Sequence, residues 1–245
     1  MNNACGFCAR FRSAKSNKSV PPWDKIHFQS KNFVVFTSLG ALVEGWLLIV
    51  PKDHALCLGA LSQQLHLELD ELRGQVSLAL EECYGPVTVF EHGPAQPCHS
   101  VGCGVDHAHL HILPTQINLI EGVKDIFPEP LNWESVRGVQ ETARLYKAGQ
   151  PYLYVEQSPG MGYVTTHPNL QSQMFRKVIA RHIGRPEQYN WREFPGEANI
   201  LSTIERLEQW LSRYDQGGSD DTEAGRMAVS LCQNSSISGS VPQFA

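Results

Sequence analysis

Between Asp106 and Pro114 the chain reads Asp-His-Ala-His-Leu-His-Ile-Leu-Pro, which sets His107, His109 and His111 at every second position. On an extended strand that period turns all three imidazoles to one face and Ala108, Leu110 and Ile112 to the other. A core strand does not line one face with three titratable rings, because each buried ring nitrogen must find a partner or costs free energy. The run therefore reads as a site, and two chemistries want it. In one, a neutral imidazole attacks phosphorus and forms a phosphoramidate that water then hydrolyses, while a neighbouring ring donates hydrogen bonds to the phosphate or a proton to the leaving oxygen. An unperturbed pKa of ~6.5 keeps that neutral nucleophile abundant at neutral pH. In the other, the three rings bind a catalytic metal with an open position for water. Spacing alone leaves both open.

A second cluster sits at Cys5-Gly6-Phe7-Cys8. A thioredoxin-type redox pair follows a strand and opens a helix in a βαβ context, which is not found before Cys5, so two thiolates for a zinc ion are the better reading. Tetrahedral zinc then needs two more ligands from elsewhere. The seven cysteines are odd in number and follow no secretory signal, which argues against a disulfide framework. Cys57, Cys83 and Cys232 have no partner at a recognisable spacing and read as packing or solvent-exposed residues.

These residues need elements to hold them. Phe33 to Leu39 and Gly45 to Val50 read as strands joined by a turn at Gly40, the second closed by Pro51. From Ser62 to Cys83 the apolar residues Leu65, Leu69, Leu72, Val76, Leu80 and Cys83 recur at helical intervals, with Ser62 placed to cap and Gly85-Pro86 to stop. Val87 to Phe90 reads as a third strand and His107 to Leu113 as a fourth. The first half is thus β-β-α-β-β, an antiparallel sheet with one long helix packed on it, an α+β arrangement. Further along, the pattern predicts a helix from Glu134 to Lys147, a strand at Tyr152 to Val155, and helices at Gln171 to Ile183 and Ile200 to Tyr214. Beyond Asp215, Gly, Ser, Asp and Gln dominate and the tail is expected to be disordered.

The run His107 to Leu113 matches the pattern His-φ-His-φ-His-φ-φ, with φ apolar, and resembles the signature of the histidine-triad superfamily of nucleotide hydrolases and nucleotidyltransferases. Gly45-Trp46-Leu47-Leu48-Ile49-Val50-Pro51-Lys52-Asp53-His54 is similar to that family's strand leading into the long helix. The resemblance implies that His109 is the nucleophile, with a backbone carbonyl holding its other nitrogen protonated. It also implies that His111, in a position where the uridylyltransferase branch carries glutamine, tilts the activity towards hydrolysis. Zinc-bearing relatives take their remaining ligands from positions that map onto His54 and His107, so Cys5, Cys8, His54 and His107 become a candidate structural zinc site. The implied substrate contacts are Phe36 and Ser38 at the end of the first strand, Glu91 and His92, and Gly102 and Gly104. They depart from the family pattern at three places. Gly104 stands where several relatives have a phosphate-contacting serine, Ser38 near an acidic residue that holds the ribose, and His92 where an asparagine is common.

Pro151-Tyr152-Leu153-Tyr154-Val155-Glu156, Gln173-Met174-Phe175-Arg176-Lys177-Val178, Gly184-Arg185-Pro186-Glu187 and Asn190-Trp191-Arg192 resemble the C-terminal region of CwfJ-like proteins. The expected organisation is a histidine-triad-like catalytic domain over 1–116 with an N-terminal zinc knuckle, a CwfJ-like α+β extension over 117–214, and a tail over 215–245. The chemistry expected is hydrolysis of a phosphoanhydride, phosphoester or phosphoramidate bond of a nucleotide through a nucleotidyl-histidine intermediate. The alternatives are a nucleotidyltransferase or phosphorylase, an RNA- or ribonucleoprotein-binding module, and a histidine-ligated metalloenzyme. Arg176, Lys177, Arg181, Arg185 and Arg192 could grip RNA or a nucleotide-capped RNA end, or simply form a solvated helix face. Trp191, Tyr152 and Tyr154 read as core residues before base-stacking platforms. A net charge of -5 argues against a surface built wholly to neutralise nucleic-acid phosphates. No apolar stretch reaches the ~20 residues needed to cross a bilayer, so the expectation is a cytoplasmic protein without membrane contact, with a homodimer as one option for its assembly.

Overall fold

The computed structural model describes residues 5–13, 21–102 and 104–215. The tail from 216 onward, with Cys232, and Cys103 lie outside the described residues.

The chain forms an α+β architecture around one eight-stranded antiparallel sheet. Its strands are β1 (Ile26–Gln29), β2 (Phe33–Thr37), β3 (Leu47–Pro51), β4 (Val87–Gly93), β5 (Leu110–Pro114), β6 (Glu134–Val136), β7 (Tyr152–Ser158) and β8 (Met161–Thr166), in the spatial order β1-β2-β3-β5-β4-β7-β8-β6. The helices are α1 (Gly6–Ser13), α2 (Gln63–Tyr84), α3 (Leu119–Lys124), α4 (Ala143–Lys147), α5 (Met174–His182) and α6 (Glu197–Asp215).

The period-two alternation of each strand divides two cores. One face of the sheet carries Phe33, Val35, Leu47, Ile49, Val89, Leu110, Ile112, Tyr152 and Tyr154, and packs on Leu69, Leu72, Val76, Ala79 and Leu80 of α2. The long helix forms where its apolar spacing requires. Ser62 accepts a hydrogen bond from the Leu65 N–H at its start, and Gly85, at φ 97°, ends it in a backbone region that side chains rarely adopt. The other face carries Val34, Phe36, Leu48 and Val50 beneath α1, and Trp46, Phe90, Leu113, Leu153 and Val155 beneath α3 and α5. The site lies on this second face, in the gap between α1 and α5.

β7 pairs with β4 from Val89↔Glu156 to Gly93↔Tyr152, so residues beyond 150 extend the sheet begun by the first half. α6 then returns across the molecule. Its Ile200 belongs to the core under α5, while Leu207 and Trp210 enter the core under α2, where the Trp210 indole donates to Glu82 at 2.8 Å.

Two elements depart from the sequence expectation. Glu134–Val136 is a strand paired with β8, and helix is confined to Ala143–Lys147 after a short 3-10 turn. Val136 and Val139 both enter the α2 core three residues apart, which imitates a helical interval. β1 and β8 are additional strands. β1 contributes one core residue, Phe28, next to a bulge, and so shows little periodicity; β8 follows a turn at Pro159-Gly160, with Gly160 at φ 75°. No helix among the described residues is long and apolar enough to cross a membrane.

Candidate active site

The three imidazoles do share a face, as the alternation requires: Ala108, Leu110 and Ile112 are packed in the α2 core, and the rings turn away from it. Regular strand begins only at Leu110, and the preceding residues are held to the loop after β3 by the Ala108 N–H donating to the Ala55 carbonyl at 2.7 Å.

His107 faces the N-terminal thiols. Its Nδ1 lies 3.3 Å from Cys5 Sγ and 3.7 Å from Cys8 Sγ, and His54 Nδ1 is 3.5 Å from Cys8 Sγ. All four ligand atoms fall within 4.8 Å of one another. A tetrahedral ion with Zn–S of ~2.3 Å and Zn–N of ~2.0 Å has S···N edges of roughly 3.6 Å, so these distances fit zinc. The His107 Nε2–H donates to the Pro51 carbonyl at 2.8 Å, which leaves Nδ1 as a bare lone pair aimed at the sulfurs. Burial also pushes the His107 imidazole down to about 4, favouring its neutral, ligating form.

His109 and His111 turn instead into a cavity of about 590 Å³, counting its open mouth. α1 supplies Phe7 and Arg10 to its wall, the β2–β3 loop supplies Ser38 and Leu39, and Arg176 and Trp191 come from the C-terminal half. The hydrogen bonds fix the two ring tautomers. His109 Nδ1 lies 2.7 Å from the His107 carbonyl, and since a carbonyl only accepts, Nδ1 carries the proton and Nε2 the lone pair. At His111 the order is reversed: the Trp46 indole N–H donates to Nδ1 at 3.0 Å, so the neutral ring bears its proton on Nε2. Burial holds the pKa of both imidazoles below the ordinary histidine value; the His107 carbonyl pulls His109 back upwards, and the positive charge of Arg176 lowers both. The ring centroids are 4.9 Å apart. Phe90, opposite His111 across the β4–β5 ladder, stacks on it at 4.4 Å. A neutral nitrogen nucleophile beside a neutral N–H donor suits in-line attack on phosphorus with a hydrogen bond to a phosphate or leaving oxygen.

The other expected contacts are distributed unevenly. Ser38 lines the cavity, its N–H donating to the Trp46 carbonyl. Phe36 lies one layer below, against Phe7 at 5.5 Å. His92 is on the same face of the sheet, but its Nε2 accepts from the Phe175 N–H at 3.2 Å, so it ties β4 to α5; burial pushes it down to about 3. Gly102 and Gly104 bind the C-terminal half through their carbonyls, which accept from Ser172 Oγ and the Arg192 guanidinium respectively. Glu91 points to the opposite face. It accepts from the Leu58 N–H and the Tyr152 hydroxyl, both at 2.6 Å, and the sheet separates it from the cavity. The alternation of β4 dictates this, since Phe90 and His92 already occupy the cavity side. Tyr152 and Tyr154 are core residues, whereas Trp191 is half-buried in the cavity wall.

Arg10 and Trp46 were not among the sequence candidates, while Arg176 was offered only as one of five basic residues and Trp191 was read as core. Phe175, Val178 and Ile179 define the buried face of α5, and Arg176 borders it, so helical phase sets it apart from Arg181, which is exposed. Nothing local marks Trp46, whose role depends on the strand pairing that sets it beside His111.

No protein-family model matches the chain, and no curated protein matches it in sequence. Among solved structures, part of the chain is similar to a hypothetical histidine triad nucleotide-binding protein from Sulfolobus tokodaii, at 18% identity and a TM-score of 0.37, over 45% of this chain and 68% of that one. A Hit-like protein involved in cell-cycle regulation from Bartonella henselae is similar at 16% identity and a TM-score of 0.39, over 60% and 98%. A zinc-bound histidine triad family protein from Mycobacterium smegmatis is similar at 17% identity and a TM-score of 0.35, over 60% and 92%. Each likeness is one of fold over part of the chain.

Proposed function

We propose that this protein hydrolyses a phosphoanhydride, phosphoester or phosphoramidate bond of a nucleotide through a covalent intermediate on His109. The observation that carries the reading is the pair of opposite tautomers in one cavity: a lone pair on His109 Nε2, set by the His107 carbonyl, beside an N–H on His111 Nε2, set by the Trp46 indole. In the first step the Nε2 lone pair of His109 forms a bond to phosphorus and the bond from phosphorus to the leaving oxygen or nitrogen breaks, the electron pair going to that atom, which takes a proton from solvent while the His111 Nε2–H holds a phosphate or leaving oxygen by a hydrogen bond. In the second, water oxygen bonds to phosphorus, the N–P bond breaks with its electron pair returning to His109 Nε2, and the water proton passes to solvent. Cys5, Cys8, His54 and His107 would hold zinc, which would supply a structural cross-link between α1, the loop after β3 and the start of the histidine strand. The residues holding it are not the ones that react.

His109→Asn is expected to abolish turnover while the protein still folds, and substrate labelled at the α-phosphate is expected to leave acid-labile label on His109 of the unaltered protein. Repeated failure to trap label with protein that turns substrate over would sink the covalent route. Adding inorganic phosphate or sugar phosphates as acceptors tests for transferase or phosphorylase chemistry, which shares the first step. The resemblance of residues 151–193 to CwfJ-like proteins puts nucleotide-capped RNA ends in the substrate screen beside dinucleoside polyphosphates and nucleoside phosphoramidates.

A further inference from the structure

Two guanidinium groups line the cavity, and they belong to different parts of it. Arg176 comes from the C-terminal half, and its charge lowers the pKa of both His109 and His111. Arg10 comes from α1, at the apolar end of the cavity, where Phe7 and Leu48 belong to the cluster under that helix and Val105 packs against it. Its guanidinium lies 5.5 Å from the centre of the Phe7 ring and 6.0 Å from that of Phe36, and Phe7 in turn meets His109 at 5.7 Å. Among the described residues that line this end, Arg10 alone carries a polar side chain.

What holds Arg10 leaves part of it unused. Its Nε lies 3.2 Å from Oδ1 of Asp24, in the turn before β1, an ion pair partly open to solvent on both sides. Among the described residues, its two Nη groups donate to no protein acceptor. The carboxylate and the aromatic faces beneath set the direction of the fork, and the carboxylate balances its charge. A second anion at Arg10 is drawn by the guanidinium but repelled by Asp24, so a phosphate gains little there. A neutral group with two neighbouring acceptors leaves the ion pair intact and meets the donors that remain. The apolar walls beside them suit the flat face of a ring.

We infer that Arg10 is a specificity-determining residue that reads the base of the nucleotide and selects guanine. The inference rests on the reading of the cavity as a nucleotide site and adds to it the identity of the base. Guanine presents O6 and N7 side by side, and a guanidinium fork donates to both. Adenine sets its N6 amino group where guanine has O6, so one donor of the fork meets another donor and loses its bond. With phosphorus at His109, a base that reaches Arg10 lies along Phe7, which touches both. The substrate class that follows is a guanine nucleotide, with hypoxanthine accepted as well because it keeps O6 and N7.

The test measures binding apart from chemistry. GMP, IMP and AMP are titrated by calorimetry into the unaltered protein, Arg10→Met and Arg10→Gln, and kcat/KM is measured on guanosine and adenosine 5′-phosphoramidates. The unaltered protein is expected to bind GMP and IMP at least ~10-fold tighter than AMP. Arg10→Met keeps an apolar stem over Phe7 and should bring the nucleotides within about threefold of one another, while Arg10→Gln should shift the preference towards AMP, because an amide pairs with adenine N6 and N7. A phosphate contact, or a mere tie between α1 and Asp24, would instead move every nucleotide alike. Equal losses across the bases, or an unaltered protein that prefers AMP or shows no preference, overturn the inference and leave the nucleotide site standing. If Arg10→Met does not fold, an unchanged ratio of GMP to AMP affinity in Arg10→Gln overturns it. A GMP preference that depends on Arg10, with neither phosphoramidate turned over, keeps the base reading while the hydrolase reading falls. No binding of any of these nucleotides removes both.

Discussion

Trp46 and Glu91 show how far a single side chain can be followed into function and stability. Trp46 does not itself line the cavity, yet its indole N–H decides which nitrogen of His111 bears the proton. Trp46→Phe keeps the ring and deletes the donor, so His111 gains access to the other tautomer. Turnover is expected to fall about tenfold or more, because a misplaced hydrogen-bond donor forfeits part of the ~10²–10³ such a group contributes. Imidazole ¹⁵N shifts check the cause: in the variant the His111 signals should move towards a tautomer mixture while those of His109 stay. Glu91 works on the other face of the sheet. Burial pushes its carboxyl up from 4.5 to about 7, although the Tyr152 hydroxyl and Leu58 N–H pull it back. A carboxyl raised in the folded state contributes its full stability below the unfolded value and loses it as pH rises through the folded one. Relative to Glu91→Gln, the unaltered protein should therefore lose stability on the order of 2–3 kcal/mol between pH 4.5 and a little above 7, and no more beyond that. Urea unfolding at several pH values reads this difference, and parallel stability curves for the two proteins would refute it.

At the level of elements, two helices act on the site in different ways. α1 has eight residues and is tied to the sheet through Phe7, Cys5 and Cys8. A helix that short gains little from its own backbone bonds. A metal bridging it to His54 and His107 would thus hold one wall of the cavity in place. Chelation, or Cys8→Ser, is expected to release about one zinc per chain and to loosen α1 and the 105–109 segment in amide exchange. Activity should be lost in step with that loosening, and full activity in metal-free protein would contradict the structural role. α2 acts by burial. Leu80→Ala should cost about 2–5 kcal/mol, and Ser62→Ala about 1 kcal/mol through the lost cap, both by denaturant midpoint. The long helix was legible in sequence because its apolar spacing and both end signals agree. The segment Glu134 to Lys147 was misread because Val136 and Val139 enter one core from a strand and a turn, a coincidence of spacing that only pairing with β8 resolves.

Across the whole molecule, the sheet runs without a break from β1 to β6, and α6 packs on both of its cores. The turn between β2 and β3 is held from residues far ahead in the chain. Asn199 donates to the Ala41 carbonyl at 2.9 Å, and Thr203 Oγ1 accepts from the Gly45 N–H at 2.8 Å. Trp210→Ala, far from the triad in the chain, should then cost about 3–5 kcal/mol of global stability. Far-UV signal and tryptophan fluorescence are expected to report one shared unfolding transition; a separate, earlier transition for the C-terminal part would show that the two halves fold independently.

By itself, the sequence established the strand that carries the imidazoles, the common face they occupy, the helix behind them and the four residues that could hold zinc. The strand, its face and the helix follow from periodicity and end signals and Cys5 and Cys8 from thiolate chemistry, whereas His54 and His107 as zinc ligands were implied by the family resemblance. Beyond what the family resemblance implied, it did not separate the jobs of the three rings, because a ring's tautomer is set by whatever meets its second nitrogen. Those partners are the Pro51 and His107 carbonyls and the Trp46 indole, and two of the three are brought there by strand pairing alone. Nor did it pick Arg176 out of a basic stretch or turn Glu91 away from the cavity. Both were decided by which face of the sheet each element packs on, and that is a property of the assembled layers.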